Sequence, residues 1–240
     1  TVVHLAGIAH NKAPSEESYF EVNTLGTIEF AKQAKINGVS RFVFVSSILV
    51  YGQAPLFPIS ENNDLLPESK FSKSKYQAEL GLKSLESNEF EVVIIQCPLV
   101  YGKGAPANFM LLLRLISNFP FLPFGLINNC RSYISVNNLV DFILHCTIHP
   151  KAGGETFVIS DGTCVSTKAF TNAISEGIGK RVIQLPIPRW LMRLVAKSLG
   201  KATMAEQLLG DLNIDCSKSK NTLGWVPPFT MVQVMKFLRK

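Results

Sequence analysis

The chain has 240 residues, of which 47% are hydrophobic and 18% charged, with 24 Lys and Arg against 18 Asp and Glu. That apolar content excludes a disordered chain and suffices for one large domain, or for a domain carrying a smaller lobe. The net charge of +6 comes without a basic block, which sets nucleic acid aside as a partner, and no apolar run has the length of a membrane span or the pattern of a signal peptide.

The first seven residues, Thr1-Val2-Val3-His4-Leu5-Ala6-Gly7, read as a buried parallel strand whose small tip lets something approach its backbone. Such a strand needs neighbours on both sides, so the sequence implies that preceding residues are missing. Between residues 18 and 37, Phe20, Leu25, Ile28, Phe30, Ala31 and Ala34 recur at helical spacing and Gly38 follows at a C-cap position, which predicts a crossover helix. Within Arg41–Ser47, Phe42–Val45 is a continuous apolar run followed by Ser46 and Ser47, as expected of a strand buried on both faces. In open α/β sheets ligands bind beyond the carboxyl ends of the strands, so these two serines are candidates for a site.

Residues 53–69 are a polar loop with Pro55, Pro58 and Pro67, and a second helix is predicted over 69–85. A strand over 92–96 leads to Cys97-Pro98-Leu99-Val100-Tyr101-Gly102, and Pro106 starts a further helical pattern through Phe109, Leu112, Leu113 and Ile116. Residues 119–124 are aromatic and broken by proline. Asn137 or Asn138 is expected to cap a helix through His145, residues 155–160 to form a strand, and Ser166 to cap the next helix. Extended pieces such as 182–185 then alternate with proline-initiated helices, the first from Pro188. Strands alternating with helices mean the α/β class.

Five cysteines, Cys97, Cys130, Cys146, Cys164 and Cys216, are odd in number, widely spaced and without a C-x-x-C pair. That argues against a disulfide framework and a zinc knuckle, and for a reducing, cytoplasmic setting. His145 and His149 stand one helical turn apart but lack the acidic partner of an H-E-x-x-H site, so no metal is expected. The helix over 188–199 sets Trp190, Leu191, Leu194 and Val195 against Arg189, Arg193 and Lys197. It either docks onto the rest of its lobe or touches a membrane surface, for instance to reach a lipid-linked sugar.

Several motifs fall together in order: His4-Leu5-Ala6-Gly7, Asn23-Thr24-Leu25-Gly26-Thr27, Ser46-Ser47-Ile48-Leu49-Val50-Tyr51-Gly52, Ser72-Lys73-Ser74-Lys75 and Val100-Tyr101-Gly102. Arg131-Ser132-Tyr133-Ile134 leads into Asn138-Leu139-Val140-Asp141, and Leu223-Gly224-Trp225-Val226-Pro227 closes the series. In these the chain resembles the extended short-chain dehydrogenase/reductases, in particular the nucleotide-sugar epimerase, dehydratase and 4-keto-reductase group typified by UDP-glucose 4-epimerase. The resemblance implies a Rossmann-type doubly wound parallel sheet lacking its N-terminal strands, since the Gly-rich phosphate turn is absent, with a smaller C-terminal substrate-binding lobe. The dinucleotide-binding part would comprise 1–104 and about 136–163, and the lobe 105–135 and 164–240.

The resemblance also implies roles. A family tyrosine takes a proton from the sugar hydroxyl while NAD takes the hydride, and a lysine one helical turn later supports both; Lys75 matches the lysine, whereas Phe71 stands at the tyrosine position. Phe71 keeps the ring and loses the oxygen, and Tyr76 lies about 100° round the helix from Lys75, so neither supplies an acid or base there. Either an engineered exchange has trapped the site, which the intact motifs favour, or the protein is a natural non-catalytic homologue that binds or regulates. Ser47 matches the serine that bonds the reacting oxygen. Ala6, Gly7, Asn23, Ser46, Lys75, Pro98 and Leu99 fall at positions that contact the cofactor, NAD with NADP not excluded. Asn108 and Arg131 match residues that hold the substrate pyrophosphate, for which a planar guanidinium is suited. Apolar Ile48 and Leu49 disfavour a dehydratase, and the Arg131 motif disfavours a steroid-type dehydrogenase. A UDP-linked hexose as substrate and a homodimer, formed partly through the Lys75 helix, complete the expectation.

Overall fold

The computed structural model describes residues 1–9, 15, 17–52, 58–105 and 108–239. Strand β1 (Val2–His4) lies parallel to β2 (Arg41–Ser47), with Val2 opposite Phe42 and His4 opposite Phe44. The crossover between them is α1 (Glu17–Phe20), a π-helical turn (Glu21–Gly26) and α2 (Thr27–Ile36), closed by Gly38 at φ 77°. The single helix expected there is therefore interrupted. In the wide turn Asn23 and Thr24 both face inward: Asn23 reaches Ile8 and Ser74, and Thr24 donates to the Ser74 carbonyl at 2.8 Å.

Ser69 starts α3 (Lys70–Lys83) with a reciprocal capping box to Ser72. Strand β3 (Glu91–Cys97) then pairs with β2 along its whole length, from Arg41 opposite Glu91 to Ser47 opposite Cys97. An Arg41–Glu91 ion pair at 2.7 Å closes the near end of that ladder. Next come β4 (Val100–Tyr101), α4 (Asn108–Asn118), β5 (Phe121–Leu122), β6 (Arg131–Ser132), β7 (Ile134–Ser135) and α5 (Val136–Ile148). They are followed by β8 (Thr156–Val158), β9 (Cys164–Val165), α6 (Thr167–Gly177) and β10 (Ile183–Gln184). The last elements are α7 (Arg189–Ser198), α8 (Ala202–Leu209), α9 (Ser217–Leu223) and α10 (Met231–Lys236). Pro106 and Pro55 lie outside the described residues.

The main sheet has the order β1-β2-β3-β8, parallel throughout. Side chains alternate across it, as the pleat requires. Phe42, Phe44, Val92 and Ile94 pack under α2 and α3, whereas Val43, Val93, Ile95 and Phe157 pack under α5. Leu223 and Trp225 join the second layer, and the indole of Trp225 donates to Asp141 on α5 at 2.7 Å. A separate core gathers Tyr101, Phe109, Phe170, Leu209 and Val234, with Tyr133 stacked 4.0 Å from Phe170. The polypeptide enters this lobe after β4, returns to the sheet with α5 and β8, and leaves it again from β9 onward.

Two sequence expectations are corrected here. Ser135, not Asn137 or Asn138, caps α5, its hydroxyl accepting the Asn138 amide at 3.1 Å. Asn138 is instead buried within the first turn, where it donates to Asp161 and to the carbonyl of Phe229. The second correction concerns sulfur. Cys130 and Cys164 form a disulfide. Antiparallel pairing of β6 with β9 brings their Cα atoms to 5.2 Å, within the span a bridge requires. Wide sequence spacing hid a proximity that only the lobe's register creates. Among the described residues Cys97, Cys146 and Cys216 are free thiols.

Candidate active site

The tip of β2 divides its two serines between different tasks. The hydroxyl of Ser47 accepts the Leu49 amide at 3.3 Å and so caps the short 3-10 turn Ile48–Tyr51, leaving its own proton to point elsewhere. Ser46, one residue earlier on the opposite face, is buried and donates to the carboxylate of Glu79. Its hydroxyl is thus held by a side chain.

Helix α3 brings Lys75 beneath this tip. Its ammonium donates to the Val45 carbonyl at 3.0 Å and sits 4.4 Å above the Phe44 ring. Only 6% of the residue is exposed, and burial lowers its pKa to about 8, against which Cys97 and Glu79 act weakly. Phe71 precedes it by one turn on the same face, partly exposed, with the buried ring of Tyr19 edge-on at 6.4 Å. Tyr76 turns away to pack with the Ile48 and Val50 cluster.

Glu79, one turn beyond Lys75, belongs to the site although no sequence motif marks it. It is 2% exposed, and besides Ser46 it accepts the Gln96 side-chain amide at 2.9 Å. The oxygen of Gln96 in turn accepts the Tyr51 hydroxyl at 2.7 Å. A continuous hydrogen-bonded chain, Ser46–Glu79–Gln96–Tyr51, therefore spans the ends of β2 and β3 under the site. Burial raises the Glu79 carboxyl to about 7, outweighing the two donors that favour its charge. Burial also drives the Tyr51 phenol well above its usual value. A charged residue on the same helical face as Ala78 and Leu82 was the available signal.

Ala6 and Gly7 are exposed at the end of β1. A Cβ on Gly7 would come within 3.0 Å of the Asn23 oxygen and 3.4 Å of the Lys75 nitrogen, so the bare backbone there keeps open a cradle beside the ammonium. Asn23 is fully buried; it accepts the Ile8 amide at 2.7 Å and donates to the Ile8 carbonyl and to Ser74. It shapes the cradle by holding that loop. Pro98 is buried and Leu99 half-buried where β3 gives way to β4.

Arg131 and Asn108 meet the same segment in the lobe. Asn108 donates to Gln207 at 3.3 Å, and Arg131 donates to the Gly210 carbonyl at 2.9 Å. Arg131 is 8% exposed, and its buried Nε has no hydrogen-bond partner among the described residues. An anion's oxygen is the ligand such an orphan donor suits. His145 and His149 stack at 5.1 Å; the first bonds the Leu223 carbonyl, and the second accepts the Lys151 amide.

Residues 1–160 match the model of the NAD dependent epimerase/dehydratase family. The chain belongs to that family. It is 43% identical to a UDP-glucose 4-epimerase of Vibrio cholerae, over 98% of this chain and 74% of the relative. It is 26% identical to the N-acetyl-alpha-D-glucosaminyl-diphospho-ditrans,octacis-undecaprenol 4-epimerase of Escherichia coli O157:H7, over 97% of this chain and 74% of that one. Both spans amount to about three quarters of the relatives' length. Among solved structures, the Bordetella bronchiseptica enzyme WbmG in complex with NAD and UDP superposes with a TM-score of 0.72 at 18% identity, covering 98% of this chain and 70% of WbmG. That likeness establishes the Rossmann-type α/β fold. The family is NAD-dependent by its description.

Proposed function

We propose that this protein is built for 4-epimerisation or 4-keto-reduction of a nucleotide-activated hexose, UDP-linked in the first instance, with NAD or NADP as cofactor, and that Phe71 leaves it nearly inactive. The observation that carries this is Lys75, whose buried ammonium lies under the β2 tip, beside the bare backbone of Gly7 and one turn from Phe71. A nicotinamide cofactor, if bound beside Lys75 and Gly7, would supply the hydride-transfer chemistry of such a reaction. Ser47 donates a hydrogen bond to the reacting oxygen, and Lys75 supports the cofactor ribose from the floor of the cradle. Ala6, Gly7, Pro98 and Leu99 flank the cofactor, with Asn23 and Ser46 holding its walls. Asn108 and Arg131 bind the diphosphate, the group common to the names of the Vibrio and Escherichia relatives. What is missing is an acceptor for the hydroxyl proton, because a phenyl ring neither takes nor gives one.

Division into a dinucleotide-binding part, 1–104 with about 136–163, and a substrate lobe, 105–135 with 164–240, belongs to this reading and is supported by the separate core around Phe109 and Phe170. Exposed Leu25 and Leu80 on the outer side of the crossover and α3 support a homodimer there.

Phe71→Tyr tests the proposal. Interconversion of UDP-glucose and UDP-galactose, followed with NAD present, should rise roughly 10²- to 10⁴-fold, the usual contribution of a placed acid or base. A second reading, favoured by Phe71 itself, is a non-catalytic nucleotide-sugar-binding homologue. A Phe71→Tyr variant that binds NAD and a UDP-sugar yet turns over no sugar of a panel would establish that alternative. Arg131→Ala should weaken UDP-sugar binding by calorimetry on the order of thirtyfold, the loss of about 2 kcal/mol of charge-assisted bonding. Unchanged affinity would remove Arg131 from the pocket.

A further inference from the structure

Helix α7 has no buried residue, although most of its side chains are apolar. Trp190 is 67% exposed and Leu194 is 61% exposed, and Leu199 just beyond the helix is 65% exposed. The helix is held by Met192, which packs on the lobe core, and by the Arg193–Glu206 ion pair to α8 at 2.8 Å. At 100° per residue, Arg189, Arg193 and Lys197 form one edge, and Trp190 and Leu194 lie immediately beside it. In the β5–β10 ribbon, which precedes α7 in the chain, Ile183 pairs with Phe121, and both are more than half exposed.

Charge identifies the occupant. Residues 177–205 contain six Lys or Arg and no Asp or Glu. The stretch 164–240 carries twelve basic and four acidic residues, net +8, whereas 1–163 carries twelve and fourteen, net −2. Arg181, Arg189, Lys197 and Lys201 have no acidic partner among the described residues. A second copy docked on this face through a twofold axis would set these cations against their own counterparts. A nucleic acid would leave Trp190, Leu194 and Phe121 in water. A large aromatic and aliphatic face beside lysines and arginines, of which only Arg193 is neutralised, by Glu206, is complementary to anionic headgroups over acyl chains.

We propose that the exposed face of α7, together with Ile183 and Phe121, docks this protein reversibly on the surface of an anionic lipid bilayer. The helix lies in the plane of the headgroups, with Trp190 and Leu194 below them and Arg189, Lys197 and Lys201 among the phosphates. No helix among the described residues is long and apolar enough to cross a membrane, so the attachment is peripheral.

The experiment is co-sedimentation of the full chain with vesicles of phosphatidylcholine alone and of equal parts phosphatidylcholine and phosphatidylglycerol, at low and high salt. Binding is expected to the phosphatidylglycerol vesicles and to fall with salt. It should drop at least about tenfold in the double variant Trp190→Ser, Leu194→Ser. Arg189→Glu with Lys197→Glu should lower it by roughly twentyfold or more. Trp190, Leu194 and Lys197 are exposed and Arg189 is half-buried, and the second pair tests the surface without touching its apolar part. Of the two tryptophans, Trp225 is buried and bonded to Asp141, so a blue shift on adding vesicles reports Trp190. No sedimentation with either vesicle overturns the proposal, as does sedimentation that both double variants leave unchanged. A dimer in size-exclusion chromatography that Trp190→Ser, Leu194→Ser dissolves, without vesicle binding, overturns it in favour of a second copy. None of these readouts requires turnover, so failure here is separable from failure of the proposed activity.

Discussion

Burial pulls Glu79 and Lys75 in opposite directions on one face of α3, the carboxyl up to about 7 and the ammonium down to about 8. Because the folded value of Glu79 lies above its ordinary 4.5, its contribution to stability is whole below that pH and is lost as pH rises through about 7. The loss is on the order of 3 kcal/mol. Lys75 acts with the opposite sign in a higher window, where stability recovers between about 8 and 10.5 as the unfolded chain alone still holds the proton. Thermal unfolding between pH 4.5 and 7 should therefore show a decline that Glu79→Gln flattens. A slope identical in the two proteins would assign the titration to another group. The motif positions of Ser47 and Lys75 are legible in the sequence because hydroxyl and ammonium fall at a strand tip and one helical turn apart. Glu79 is not, because nothing in its type says that a glutamate lies inward; only the neighbours Ala78 and Leu82 mark that face.

At the scale of elements, long strands were the easiest to foresee. β2 and β3 are apolar on both faces and seven residues each, long enough for the pattern to be unambiguous. The two-residue strands of the lobe are shorter than any period, and their pairing is decided by the core around Phe170 rather than by local sequence. The wide turn at Glu21–Gly26 was equally invisible, since its apolar spacing is that of an ordinary helix and its cause is the inward pull on Asn23 and Thr24. Helix contacts in the lobe make a sharper demand. A Cβ on Gly177 would lie 2.6 Å from the Met235 carbonyl oxygen, so α6 and α10 approach backbone to backbone. Despite the better helix propensity of alanine, Gly177→Ala should destabilise the protein by about 1–3 kcal/mol in denaturant unfolding. A stabilised variant would mean that α10 moves aside at no cost.

In the whole molecule the alternation of strand and helix announced the α/β architecture, and the two-faced apolar strands announced layers on both sides of the sheet. What the alternation could not convey is how the lobe is assembled from separated stretches of chain and fastened by Cys130–Cys164, because that depends on register between β6 and β9. The bridge spans 34 residues, and the loop-closure estimate for that length is about 4 kcal/mol. Unfolding in the presence of a dithiol should be easier by up to that amount, and Cys164→Ser should reproduce the change without reductant; equal stability of the oxidised and reduced protein would show that register alone holds the strands. The same bond joins the point where the chain quits the lobe for β7, α5 and β8 to the point where it comes back. A protease that cuts once inside that excursion therefore yields two pieces that migrate as one on a non-reducing gel and separate only when the sulfurs are reduced, so an intact band is no proof of an intact backbone.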